Sequence, residues 1–441
     1  MSTTSGWPGP GSTGRSGSLR PLHLSELLRR PVTDKSGGSI GRLSDVIVRL
    51  RGADYPVVTA LVATVGSRSL FVPIEQIADL DQAELRLTSA RLDLRQFERR
   101  EGEVLLRADV LGHRLIDVES AHLIRAADLE LAPGDGELVV TGVDSHRRPR
   151  RLFGALARTS SGRDHQFREW ATFEPLIGHS GSALSRRPFG RIRRLKPAQI
   201  ADLLEAASKA EETEILGQVH ADPELEADVF EELDEDRATR LLGARTDREI
   251  AEVLARMRAD DAADAIAELP QRRRQPVIDL LPAGQRAKVL TLMGFNPESA
   301  GGLMGMDFVA IPSSARVADA IAAVAASTSL QPEALTSVHA LDARGRLCGV
   351  ARLVSLVQAD PQLLVSDIYE DDPVRVGSDT DAVDVAVLMS DYNLITIPVV
   401  DERRMMIGLI TVDDVLEVAL PEDWRRREVA DPPDSRRDDQ E

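Results

Sequence analysis

The sequence predicts a multidomain α+β protein: two small N-terminal β-barrels, an α-helical superhelix of short helices, and a tandem α/β pair. Three observations carry that expectation. Alternating apolar positions broken by turn residues fill the first third of the chain. A twelve-residue repeat follows from Asp222. Two similar stretches, offset by 59 residues, then run to the C-terminal region, with Asp342 matching Asp401 and Gly349 matching Gly408.

The expected elements come in this order. Residues 1–20 are rich in Gly, Ser and Pro, lack an apolar core, and read as a disordered leader rather than a signal peptide. Residues 21–95 form the first barrel: a turn at Ser39–Arg42 leads into an alternating strand through Leu50, and Pro56–Thr64 and Leu70–Ile74 supply more strands. Residues 101–158 form the second, through Leu111–Val118 and Leu138–Asp144. Residues 159–194 are a basic linker. Arg147, Arg148, Arg150 and Arg151 precede it, and Arg186, Arg187, Arg191, Arg193, Arg194 and Lys196 close it. Such a strap suits an anionic lipid surface or an acidic partner; the plainer reading is a solvated linker anchored by Glu169–Ile177.

The helical superhelix occupies residues 195–294, and the repeat runs through it from Asp222. Its blocks begin at Asp222, Asp234, Thr246, Arg258, Pro270 and Pro282, and the eighth and ninth places of each are apolar. Asp222, Asp234 and Thr246 can cap free amides, Thr246 with Glu249 makes a capping box, and Pro270 and Pro282 suit a first helical turn. Helices this short need neighbours to be stable, so the blocks must stack. The duplicated halves span 295–364 and 365–420, each in strand, helix, strand, turn, strand, helix order. Gly301-Gly302 reads as a flexible turn that joins domains. A charged tail occupies 421–441.

Composition narrows the function classes. Residues 1–196 hold 30 Lys and Arg against 23 Asp and Glu, whereas residues 197–441 hold 24 against 49. The C-terminal body is therefore acidic, suited to cations and unsuited to nucleic acid. A single cysteine, Cys348, excludes an internal disulfide or a cysteine zinc site, and it is expected to be buried in a strand. No apolar run reaches the length of a membrane span. The eight histidines are scattered, and no phosphate loop or nucleophile elbow occurs, so no enzyme is expected.

The repeat with MRADDAADAIAELP, the following SAGGLMGMDFVAI and the terminal MSDYNLITIPVVDERRMMIGLITVDDVLEV resemble the cytosolic part of the MgtE magnesium transporters: an N-terminal helical domain followed by tandem CBS domains. The resemblance covers about residues 195–420. The two strand-rich units resemble PRC-barrel domains through patterns such as SIGRLSDVIV. In the MgtE family the second CBS domain continues into a membrane pore. Here Pro421 follows Leu420 and charged sequence ends the chain, so the expectation is the sensing half of that machine without the conducting half.

The resemblance implies a Mg2+ site between the helical and CBS domains. The matching residues are Asp260, Asp261 and Asp264 on the helical side and Asp391, Asp413 and Glu417 on the CBS side. Mg2+ takes oxygen ligands, keeps several waters and is commonly held by one or two carboxylates. Two carboxylates about 5 Å apart repel by roughly 3 kcal/mol at an effective dielectric near 20, and a divalent ion reverses that sign. The family often has Asp-Pro just before DDAAD; this chain has Arg258-Ala259, a cation that lowers affinity if it faces the site. The same aspartates also suit plain helix starts. CBS clefts imply a second ligand, ATP or AMP, with Thr411 and Asp414 holding ribose and phosphates. The first half has Arg352-x-x-Ser355 there and lacks the carboxylate.

The expected function is a soluble, magnesium-responsive regulatory or sensor protein. Its helical and CBS domains close on a divalent cation and modulate a separate membrane cation transporter. It is expected to be a homodimer through the CBS domains, cytoplasmic, and peripheral to the inner face of the membrane. The alternative is an adenosine-nucleotide-sensing CBS adaptor or scaffold without a metal role.

Overall fold

The computed structural model describes residues 21–51, 54–79, 84–88, 96–100, 102–134, 137–145, 166–176 and 191–420. The leader, the tail, and Arg147, Arg148, Arg150, Arg151, Arg186 and Arg187 of the basic run lie outside the described residues. The chain divides into two compact units, residues 1–233 and 234–441.

The first unit is built mainly of strands: β1 (Leu22–His23), β2 (Pro31–Thr33), β3 (Ser39–Arg51), β4 (Asp54–Val65), β5 (Arg68–Pro73), β6 (Ile77–Asp79), β7 (Leu85–Leu87), β8 (Glu103–Leu105), β9 (Arg114–Asp117), β10 (His122–Arg125), β11 (Asp128–Gly134), β12 (Glu137–Asp144), β13 (Phe167–Glu169) and β14 (Phe173–Pro175). A short helix α1 (Leu24–Leu27) follows β1. The β3 and β4 strands form the long central hairpin, with Ile47 opposite Ala60. The two expected strand-rich units are fused. β8 pairs with β3 through Ile47↔Leu105, and β12 pairs with β4 through Val139↔Val57, so both contribute to one 11-stranded sheet. A smaller sheet runs β10-β9-β14. Val46, Leu61, Leu106, Leu129, Trp170 and Phe173 belong to one shared core.

The span read as a linker is a working part of this core. β13 extends the large sheet beside β12, and β14 completes the small one beside β9. Arg191, expected in an exposed basic strap, is only 3 % exposed and donates from Nη1 to the carbonyls of Trp170 and Phe173. Those carbonyls belong to the first residue of a 3-10 turn at Trp170–Thr172 and to the residue that ends it, where the Phe173 amide also donates to Trp170 O. A guanidinium carries enough donors to satisfy them.

Three helices end the first unit: α2 (Pro197–Ala206), α3 (Lys209–Val219) and α4 (Pro223–Glu231). Ser208 and Glu211 form a capping box at the start of α3, and Arg114 of β9 pairs with Glu211. Asp222 precedes α4, but its side chain makes no cap hydrogen bond; its carboxylate instead lies 3.7 Å from Arg193.

The second unit begins with α5 (Glu235–Gly243), α6 (Asp247–Leu254), α7 (Ala259–Glu268), α8 (Gln271–Leu280) and α9 (Ala283–Leu292). The capping expectations hold at two starts. Asp234 accepts from the Arg237 amide at 2.8 Å, and Thr246 with Glu249 closes a capping box. Pro270 and Pro282 stand just ahead of their helices, at the cap. The paired apolar places are buried in the α5, α6 and α8 blocks, but Leu290 of α9 is 52 % exposed and Leu292 is buried instead. Long side chains fasten the stack by taking up helix-end carbonyls. Gln285 Nε2 donates to Met257 O at 2.8 Å and Leu254 O at 3.1 Å, and Arg273 reaches Gly243 O at 3.1 Å.

Next come α10 (Ala300–Leu303) and the duplicated pair. The first half is β15 (Ala310–Pro312), α11 (Val317–Ala326), β16 (Ser337–Leu341), β17 (Leu347–Arg352), α12 (Leu353–Gln358) and β18 (Glu370–Asp371). The second is β19 (Val376–Gly377), α13 (Ala382–Asp391), β20 (Thr396–Val400), β21 (Met406–Thr411) and α14 (Val412–Ala419). The repeat extends to detail. Asp342 Oδ1 accepts from the Arg344 and Arg346 amides, and Asp401 Oδ1 accepts from those of Arg403 and Met405. Register shifts fall at Ala340/Leu341 and at Val399/Val400. Equivalent residues also touch each other: Ser337 Oγ and Thr396 Oγ1 are 2.9 Å apart, and Arg346 bridges to Met405. Matched positions can meet only on an axis, so the halves pair about a pseudo-twofold. Cys348 is half-buried rather than buried, with its thiol donating to Ala340 O.

Glu174 of β14 gives the first unit a pH signature. It is 3 % exposed and its Oε2 has no hydrogen-bond partner. Burial pushes its pKa up to about 7, against the pull of Arg191 and with the help of Glu214. A carboxyl with a folded pKa above its unfolded value makes the folded state bind more protons, so stability falls as pH rises from the unfolded value through about 7. Glu174→Gln should flatten that slope. The measurement is the urea midpoint at pH 5 and pH 8, followed by Trp170 fluorescence with Trp7 and Trp424 replaced by Phe.

Candidate functional site

The acidic helix starts that the sequence singles out meet within the second unit. Arg258 stands at the N-cap of α7, with Asp260 and Asp261 in the first turn. Its guanidinium reaches two carboxylates. Nε donates to Asp261 Oδ2 at 2.6 Å, and Nη1 donates to Asp414 Oδ1 at 2.9 Å. Asp414 lies in the first turn of α14, and its other oxygen accepts from Thr411 N at 2.9 Å and Thr411 Oγ1 at 2.7 Å. Thr411 and Asp414 thus form the capping box that starts α14. One hydrogen-bonded path therefore joins the helical stack to the last strand and helix of the duplicated pair.

The electrostatics follow from burial. Asp260 is 8 % exposed; desolvation, then the Asp261 charge, push its carboxyl up to about 7, although Arg258 pulls it down. Burial likewise raises Asp414, opposed by Arg258 and the Thr411 donors. Burial works against the Arg258 charge, but Asp261, Asp260 and Asp414 outweigh it and hold the guanidinium's pKa above its ordinary value. A cation at a helix N-terminus opposes the macrodipole, so these carboxylates also make Arg258 tolerable there.

The remaining expected residues lie around this junction or outside it. Asp413 is exposed at the start of α14, and its Oδ1 competes with Asp414 for the single proton of the Thr411 hydroxyl. Asp264 is exposed one turn beyond Asp260 on α7, and Asp391 is exposed at the end of α13. Glu417 belongs to α14, but its side chain lies outside the described residues. Among the described residues, no group of three or more His, Cys, Asp or Glu is arranged to hold a metal ion. Asp260, Asp261 and Asp414 offer only oxygen donors. That chemistry suits hydrated Mg2+ held through one or two carboxylates, and does not suit a closed cage.

A second attachment lies beside the first. The expected flexible turn at Gly301-Gly302 is packed. Ala300 N donates to Thr380 O at 2.7 Å and Gly301 N to Ser378 O at 2.9 Å, while Ala382 N donates to Glu298 O at 3.0 Å. A β-carbon at Gly301 would stand 2.6 Å from the Phe295 ring and 2.9 Å from Ser378 O, so only glycine allows this approach. Met304, fully buried, lies over Gly408. The glycine pair and the chain immediately after it signalled a special backbone; the sequence did not say that it faced a neighbouring strand.

Comparison with known proteins follows this division. The family described as the MgtE intracellular N domain matches residues 195–298, and the CBS domain family matches residues 365–421. The chain carries an MgtE N domain and a CBS domain. The half at 310–371 repeats the strand and helix order of that CBS domain. The chain is 36% identical over 183 residues to the magnesium transporter MgtE of Thermus thermophilus, covering 40% of each protein. It is 26% identical over 167 residues to the MgtE of Bacillus subtilis, covering 38% of this chain and 37% of that one. It therefore spans about 40% of the length of these curated relatives. A crystal structure of the soluble part of a magnesium transporter is similar at 24% identity and TM-score 0.49, covering 52% of this chain and 90% of that one. The cytosolic domain of the Mg2+ channel MgtE in complex with ATP is similar at 28% identity and TM-score 0.48, covering 54% and 94%. Among the described residues, no helix is long and apolar enough to cross a membrane.

The N domain–CBS junction should be sensitive to its carboxylate partner. Asp414→Ala strips Arg258 of one ion pair and α14 of its capping carboxylate. With the guanidinium about a quarter exposed, the expected loss is about 2 kcal/mol. Asp414→Asn, which keeps the cap acceptor, should lose less. Urea midpoints of the two variants give the comparison.

Proposed function

We propose that this protein is a magnesium-responsive regulatory module in which the N domain and the CBS pair close on a divalent cation. The carrying observation is the convergence of Asp260 and Asp261 from α7 with Asp414 from α14 around Arg258, with Asp413 beside Asp414 at the start of α14. Excess negative charge at a helix–helix junction opposes closure, and a hydrated divalent ion relieves it. The ion favours the closed state by RT ln(1 + [L]/Kd), so a site with a Kd near millimolar tracks ion concentration in that range. Asp264, one turn beyond Asp260 on α7, and Asp391, at the end of α13, are further carboxylates of the reading. The curated relatives named above are magnesium transporters, which supports regulation of cation transport as the output, with a separate membrane transporter as partner. The fused N-terminal sheet serves as the docking body, and the setting is the cytoplasmic face of the membrane.

Partnering with a second copy through the CBS pair is part of this reading. Val354 and Val357 of α12 and Val383 and Val387 of α13 are each at least half exposed. Apolar helix faces of this kind gain from burial in a dimer. An adenosine nucleotide is the second ligand of the reading. Thr411 and Asp414 stand at the strand-to-helix corner that would hold its ribose, although both are engaged by the capping box and Arg258.

Hydrogen exchange of the α7 and α14 amides across 0–20 mM Mg2+ tests the closure, with Ca2+ and matched ionic strength as controls. Slower exchange with Mg2+, lost on combining Asp260→Asn, Asp261→Asn and Asp413→Asn, is expected. An unchanged profile with Mg2+ but protection by ATP or AMP would replace this reading with a nucleotide-sensing scaffold. Sedimentation velocity tests the dimer: the wild type should sediment as a dimer, and Val354→Glu with Val387→Glu as a monomer.

A further inference from the structure

We infer that Arg258 is a resident cation of the N domain–CBS junction, which holds α7 against α14 in the absence of metal and thereby sets how much Mg2+ the module needs. The inference rests on the magnesium-responsive reading and adds its regulation. A divalent ion can join the two helix starts only by sitting between carboxylates contributed from each side. The Arg258 guanidinium already occupies that relation. It bonds to Asp261 of its own helix at 2.6 Å and to Asp414 of the other at 2.9 Å.

Three further observations make this a built contact rather than a chance surface pair. The Asp414 side chain is 8 % exposed, and its second oxygen is fixed by Thr411 N and Oγ1, so the acceptor is preorganised. Arg258 occupies the helix cap position, where a side chain that accepts hydrogen bonds is usually favoured and where the macrodipole repels a cation. The docked Ala300–Gly301 segment brings the N domain to the same CBS half, so Arg258 spans a gap that the backbone has already narrowed. A planar guanidinium with donors in a fixed fork can bridge two carboxylates at once; an ammonium offers a single point of charge.

The ledger of charge gives the consequence. A tethered cation adjoins its carboxylates at all ion concentrations, so part of the work of closing the junction is done before any metal arrives. The wild-type response to Mg2+ is then a modest tightening from an already closed baseline. Without Arg258, the same carboxylates stay apart until an ion bridges them, and the response becomes large.

The test is hydrogen exchange of the α7 and α14 amides in the full chain, in EDTA and in 10 mM Mg2+. It compares the wild type with Arg258→Ala, Arg258→Gln and Arg258→Lys. Peptides of the β3–β4 hairpin and of β16–β17 report whether each variant remains folded. The expected result is slow exchange in wild type under EDTA, at least tenfold faster exchange in Arg258→Ala and Arg258→Gln, and recovery of both in Mg2+. Arg258→Lys should fall between. Exchange in Arg258→Gln as slow as in wild type under EDTA would overturn the resident-cation role. So would a wild type whose junction stays open until Mg2+ is added. If removal of Arg258 opens the junction and Mg2+ protects none of the proteins, Arg258 still holds the junction, but the set-point role and the magnesium-responsive reading both fall.

Discussion

The second unit depends on how a dense set of carboxylates is tolerated where two helix starts meet. Asp260, Asp261 and Asp414 would repel one another across the junction, and burial raises that cost because water cannot screen them. Arg258 answers both problems with one planar group. Its bonds to Asp261 and Asp414 link a helix of the stack to the capping box of the last CBS helix, across 156 positions of sequence. These ties across the junction are polar and directional, whereas the cores on either side are aliphatic.

Backbone packing complements this polar link. The segment Ser299–Gly305 is held by main-chain hydrogen bonds to Ser378, Thr380 and Leu409, with Met304 filling the space over Gly408. Main-chain contacts of this type fix distance with little dependence on ionic conditions, whereas the Arg258 contacts depend on charge. The junction therefore has a charge-independent side, built on main-chain bonds, and a charge-dependent side, built on Arg258.

Much of this architecture was legible in the sequence because it is periodic. The twelve-residue beat revealed the short helices, Thr246 with Glu249 marked a cap, and the 59-residue offset revealed the duplication down to Asp342 and Asp401. The fused sheet was less legible. β13 and β14 are three residues each, too short to carry a pattern, and their partners β12 and β9 lie far back in the chain. Arg191 sat among other arginines that gave the segment a surface character, yet its side chain is buried against carbonyls. The acidic residues of the junction were readable as helix starts. What joined them was not, because the sequence presented Arg258 as a departure from a metal-binding pattern, and only the fold brings it to Asp414.

The pseudo-twofold contact between Ser337 and Thr396 has a mechanical consequence. Points on an axis barely move when the halves turn about it, so Ser337, Thr396, Arg346 and Met405 act as a pivot. The attachments through Ser378, Thr380, Leu409 and Asp414 all fall off that pivot, and all on the second half. Lys288 of α9 also pairs with Asp307 just ahead of β15, so the helical stack is in effect a lever fastened mainly to one leaf of a two-leaf hinge. A small twist between the leaves would be delivered to the far end of the stack as a larger sweep, with the pivot contacts left intact.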